Sequence, residues 1–128
     1  MVVPAPDLTQ LIWLISCQIL LYALGWGLCS LLLREQRESV AHWASFMLLV
    51  GLGFALISQR GEPRTWGPYV WGNVLFLIGL VALHRGMERF VGTRPADREH
   101  LLTLAVGCAG FVWLGPEENQ GAMRVLLA

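Results

Sequence analysis

The chain has 128 residues, 55% apolar and only 14% charged, with a mean hydropathy of +0.57 and 9 basic residues balanced by 9 acidic ones. A soluble domain averages about 25% charged residues, and a globule of this size buries only about two thirds of its unfolded surface, so a water-soluble fold would leave too much apolar surface uncovered. The balanced charge gives no general attraction to nucleic acid, so none is expected as a partner.

Residues 8–33, 39–59, 65–84 and 100–116 contain no Asp, Glu, Lys or Arg. A charge at the centre of a membrane helix costs about 2.5–3.5 kcal/mol on insertion scales, and a span requires about 20 mostly apolar residues. The pattern predicts an all-α, multi-pass transmembrane helix bundle, with residues 1–128 as a single domain surrounded by the lipid bilayer. The first span covers about 9–33, too long and too poor in preceding basic residues for a cleavable signal peptide. After the charged turn Arg34-Glu35-Gln36-Arg37-Glu38, a second span over about 40–58 is expected to lie antiparallel to it. Gly61, Pro63, Gly67 and Pro68 mark the next break, and a third span follows over about 66–83. His84 to His100, with Gly92 and Pro95, reads as a longer connection before a short fourth span at about 101–115, and a partial fifth span begins near 121.

Cytoplasmic loops hold the excess of basic residues. Arg34, Arg37, Arg85, Arg89, Arg94 and Arg98 fall on one side, against Arg60, Arg64 and Arg124 on the other, so the N-terminus is expected outside. Arg34, Arg37, Arg85 and Arg89 are read as topology determinants meeting lipid headgroups. Trp66, Tyr69 and Trp71 are expected at the outer interface.

Small residues recur every seventh position in three spans: Ser16, Ala23 and Ser30; Ala44, Gly51 and Ser58; Gly72, Gly79 and Gly86. Close helix packing in lipid uses such residues, and this period fits left-handed crossings near +20°. Gly72, Gly79, Gly86 and Gly51 are therefore the expected helix-packing positions, and Gln18 and Asn73 the expected polar contacts between helices. Cys17, Cys29 and Cys108 read as buried thiols, since an odd number without short spacing makes no disulfide framework or zinc site. His84 and Glu88 stand at the i, i+4 spacing that can hold a metal, and paired histidines can ligate haem. Without further ligands in view, His42, His84 and His100 are read as solvated at the interface, with no metal and no cofactor. No phosphate loop, G-x-S-x-G, H-E-x-x-H or Cys-x-x-Cys is present, so the chain is not expected to be an enzyme and no catalytic residue is assigned.

Pro63-Arg64-Thr65-Trp66, Trp71-Gly72-Asn73-Val74-Leu75, Gly79, Arg85-Gly86 and Glu88-Arg89-Phe90-Val91-Gly92 form a recognisable series. It resembles the N-terminal membrane region of bacterial GGDEF diguanylate cyclases, and Asn119 to Leu127 resembles that family's approach to its next span. The resemblance implies a sensory or anchoring input module of cyclic-di-GMP signalling in the bacterial inner (cytoplasmic) membrane. It also implies a homodimer and, in a longer relative, a cytoplasmic output domain. The GGDEF motif itself is absent here, so cyclase activity transfers to no residue, and a version truncated before that domain is expected. The alternative is a small stand-alone membrane protein acting in structure or assembly, or a small transporter; the latter is disfavoured by the absence of charges from the span centres.

Overall fold

The computed structural model describes residues 7–59 and 66–113, except for the side chain of Trp66. Arg60, Arg64, Arg124, the partial fifth span and the Pro63 to Thr65 part of the resemblance lie outside the described residues. The described chain is all-helical: α1 Leu8–Leu32, α2 Arg37–Ser58, α3 Trp66–Val91 and α4 Asp97–Trp113.

α1 begins in a capping box. The Gln10 N–H donates to Asp7 Oδ1 at 2.7 Å, and the Asp7 N–H donates to Gln10 Oε1 at 3.3 Å, which satisfies backbone donors that the first turn leaves open. α1, α2 and α3 are each long and apolar enough to cross a membrane. α4 has 17 residues, about 25 Å at 1.5 Å per residue, against a hydrocarbon core of about 30 Å. Leu11, Leu14, Ile15, Leu21, Leu24, Leu28 and Leu31 all lie exposed along α1, a face that suits lipid and would be an exceptional patch in water.

Helices adjacent in sequence pack together, and among the described residues no other pair does. The row is antiparallel throughout. Ser16 meets Gly51 and Trp26 meets Trp43; Gly72 meets Gly53 and Gly86 meets Trp43; Gly107 meets Leu77 and His84 meets His100.

The third helix does not stop at residue 83, as its run of apolar residues suggests. It continues through the charged residues to Val91, and α4 starts at Asp97, so the expected long connection from His84 to His100 shrinks to residues 92–96. A fall in hydrophobicity does not end this helix. At 26 residues, about 39 Å, α3 outreaches the hydrocarbon. It stops where Gly92 adopts φ +75° and the Thr93 N–H donates to the Glu88 carbonyl at 2.9 Å. That is the closure of a Schellman cap, in a backbone region that Gly occupies without steric cost.

Candidate functional site

The short 92–96 turn brings the last two turns of α3 against the first turn of α4, and the polar residues of both collect there. His84 Nδ1 lies 2.8 Å from His100 Nε2, and the rings meet edge-on with centroids 4.9 Å apart. Glu88, one helical turn beyond His84, sets Oε1 3.3 Å from His84 Nδ1 and 3.9 Å from His100 Nε2. The same oxygen accepts the Ala96 N–H at 3.0 Å. Ala96 immediately precedes α4, so this bond also occupies one of the open donors around the helix start. The Glu88 side chain is only 8% exposed and that of His100 11%, whereas His84 is 59% exposed. Glu88 Oε2 and His100 Nδ1 are buried without a hydrogen-bond partner among the described residues.

Two ion pairs flank the cluster. Arg85 pairs with Asp97 across the turn, and Arg89 pairs with Glu38 at the start of α2. The second pair places the α1–α2 and α3–α4 turns at the same end of the molecule. Trp43 joins the helices at this end, with its ring 5.7 Å from Trp26 and 5.6 Å from Phe90 between centroids. An open cleft of about 290 Å³ runs from His84 and His100 between α3 and α4, lined by Leu77, Leu80, Val81 and Thr103.

These contacts correct the solvated reading for His100 and leave His84 largely exposed. His100 is buried against His84 and Glu88, and the i, i+4 pair gains the third partner that its own helix does not supply. His42 remains apart, with Nδ1 at 2.7 Å from the Glu38 carbonyl one turn back. Arg85 and Arg89 are likewise not free to serve only headgroups, because each has a carboxylate across a turn or helix pair. Arg34 and Arg37 are exposed beside the α1–α2 turn.

The glycine stripe of α3 faces α2. A Cβ on Gly72 would stand 3.0 Å from Ile57, one on Gly79 3.4 Å from Val50, and one on Gly86 2.6 Å from the Trp43 ring. Gly51 faces the other way, toward Leu20 of α1, and its carbonyl accepts the Ser16 hydroxyl at 2.8 Å. Gln18 and Asn73 do not bridge helices. Gln18 donates to Tyr22 on its own helix at 3.0 Å from an exposed position, since two residues after the buried Ser16 the helix has turned its side chain outward. Asn73 donates to the Tyr69 carbonyl one turn back at 2.8 Å, which satisfies the amide within α3. Cys17 and Cys29 are exposed on α1 and not buried, while Cys108 is half-buried.

Sequence reading missed Glu88 and His100 as a unit with His84, the Asp97 and Glu38 partners, and the close approaches at Gly53 and Gly107. One signal was present. His84 and His100 stand eight residues before and eight after Gly92, and in an antiparallel helix pair turning at that glycine such positions face each other. Comparison with protein-family models, with curated proteins and with solved structures returned no match.

Proposed function

We propose that the chain is a membrane-embedded sensory and anchoring input module of a cyclic-di-GMP signalling system, placed in a bacterial inner membrane with its N-terminus outside. In this reading α4 is a fourth, short pass in a locally thinned bilayer, and two copies associate so that a shift in packing changes dimer geometry. The excess of arginines at the end holding Arg34, Arg37, Arg85 and Arg89 supports that orientation.

The observation that carries the reading is the continuity of α3. One unbroken rod runs from Trp66 to Val91, packs along α2 through its glycines, and ends in the polar junction with α4. A small displacement of such a rod against α2 within the bilayer is delivered directly to the α3–α4 turn, because packed interfaces shift between discrete arrangements and do not deform continuously.

The test locks that movement. A Cβ on Gly79 would stand 3.5 Å from the Leu49 Cβ, a separation that suits a disulfide. The Leu49→Cys, Gly79→Cys pair, in a background without the native cysteines, is fused to a cytoplasmic GGDEF output domain through one added spanning helix, since four passes from an outside N-terminus end outside. Cyclic-di-GMP synthesis in membranes is then measured oxidised and reduced. The reading predicts a change in synthesis on oxidation; equal synthesis in both states rejects it.

A further inference from the structure

We propose that His84, Glu88 and His100 form a binding site for a divalent first-row transition metal ion, zinc foremost, at the membrane-interface end of the α3–α4 pair. This goes beyond the signalling reading and does not depend on it.

The donor set comes first. Two imidazole nitrogens and one carboxylate oxygen are the ligands that zinc and its first-row neighbours take in sites that keep a position open, and their donor atoms all lie within 4.8 Å of one another. A four-coordinate ion bound at about 2.0–2.1 Å with tetrahedral angles sets its donors about 3.3 Å apart. The three separations are 2.8, 3.3 and 3.9 Å, so they bracket that value. Movements of about half an ångström, small beside the rotamer freedom of the exposed His84 ring, convert the cluster into a coordination triangle.

The cluster's own polar groups are incompletely matched. Glu88 is a carboxylate more than nine-tenths buried, and one of its oxygens has no hydrogen-bond partner. Leaving a buried acceptor unsatisfied costs about 1–3 kcal/mol, more for a charged group. A cation held at Oε1 offsets the buried charge of this carboxylate, which the hydrogen bond from the Ala96 N–H only partly does. The two imidazoles present the matching requirement: nitrogens 2.8 Å apart must share a proton, since two lone pairs at that distance repel. An ion bound between them takes the place of that proton, and His100 then carries its hydrogen on Nδ1.

The surroundings suit a cation. The Ala96 N–H donates to Glu88 Oε1, the kind of outer contact that orients metal ligands. Arg85 and Arg89, next in sequence to His84 and Glu88, are paired with Asp97 and Glu38, and Glu99 lines the adjoining cleft. That cleft offers a path to the fourth coordination position for water or a small ligand.

The experiment uses the tag-free 128-residue chain in lipid nanodiscs, titrated with Co²⁺, whose visible d–d bands report four-coordinate binding. The expected result is saturable binding of one Co²⁺ per chain, displaced by Zn²⁺ and not by Mg²⁺ or Ca²⁺, which prefer all-oxygen ligands. His84→Ala removes an exposed ring, and Glu88→Gln keeps the shape and an acceptor for the Ala96 N–H. Each removes a direct ligand and is expected to weaken Co²⁺ binding at least about 100-fold, beyond the roughly 10–100-fold of an outer-contact mutation, while His42→Ala binds as the parent does. The proposal is overturned if the folded parent shows no saturable Co²⁺ binding, if His84→Ala and Glu88→Gln bind as tightly as the parent, or if Ca²⁺ displaces the ion. Binding is read directly from the ion, so this outcome and that of the locked fusion are independent.

Discussion

The α2–α3 contact and the α3–α4 contact hold helices together by opposite means. Between α2 and α3 the surfaces meet through missing side chains: Gly53 and Gly72 let two backbones approach, and Phe54 and Phe76 stack edge-on beside them with centroids 5.0 Å apart. Between α3 and α4 the Gly107 position comes comparably close to Leu77, and polar contacts gather at one end in Glu88, His84, His100 and the Ala96 N–H. α4 otherwise exposes Leu101, Leu102, Val106, Val112 and Trp113. In lipid, apolar burial gives helices little reason to associate. Shape complementarity over the whole length and polar contacts at one end are the two remaining ways, and this chain uses one on each side of α3.

The sharpest way to break the first kind of contact is to fill it. A Cβ on Gly53 would stand 2.9 Å from the Phe76 ring and 3.1 Å from the Gly72 carbonyl. One of those neighbours is backbone and cannot swing aside. Gly53→Leu is expected to cost at least the roughly 1–3 kcal/mol typical of overpacking, and Gly79→Leu, whose neighbours are side chains at 3.4–3.5 Å, less. Gly25→Leu, with nothing within 4 Å, serves as the reference. Thermal unfolding in detergent should rank them in that order; equal melting of Gly53→Leu and Gly25→Leu would remove the small-residue account.

Breaking the second kind should be local. Glu88→Ala leaves the Ala96 N–H without its acceptor, at a cost of about 1–3 kcal/mol. Amide hydrogen exchange should quicken in the first turn of α4 and stay unchanged where α1 meets α2. Exchange that quickens equally in every helix would mean the two contacts are not separable. Ser16→Ala tests the polar supplement to the small-residue surface. Hydrogen bonds between membrane helices average about 0.6 kcal/mol and reach about 1.7, so a small drop in melting temperature is expected, well below that of Gly53→Leu. Smallest of all is Arg89→Ala. An exposed ion pair contributes about 0–1 kcal/mol, and the difference between Arg89→Ala and its parent should vanish in high salt.

How far the sequence was legible follows the same division. The seven-residue recurrence of small residues pointed to Ser16, Ala23 and Ser30, which are the buried residues of α1, and to the α3 glycines that face α2. Periodicity is a property of one helix and can be read from it. The polar junction is a property of two helices and of the turn between them. Reading a connection wherever hydrophobicity fell hid the continuation of α3, and with it the meeting of Glu88 and His100. Gln18 and Asn73 misled for a related reason: an amide in an apolar stretch needs a partner, but residues one turn away on the same helix supply it first.

The arrangement on which all of this depends is a row of antiparallel membrane helices whose α1–α2 and α3–α4 turns share one face of the bilayer. Single cysteines at Glu35 and Thr93, in a chain stripped of Cys17, Cys29 and Cys108, can be probed in sealed vesicles with a membrane-impermeant thiol reagent. Both positions should react from the same side and neither from the other. Labelling from opposite sides would contradict the account.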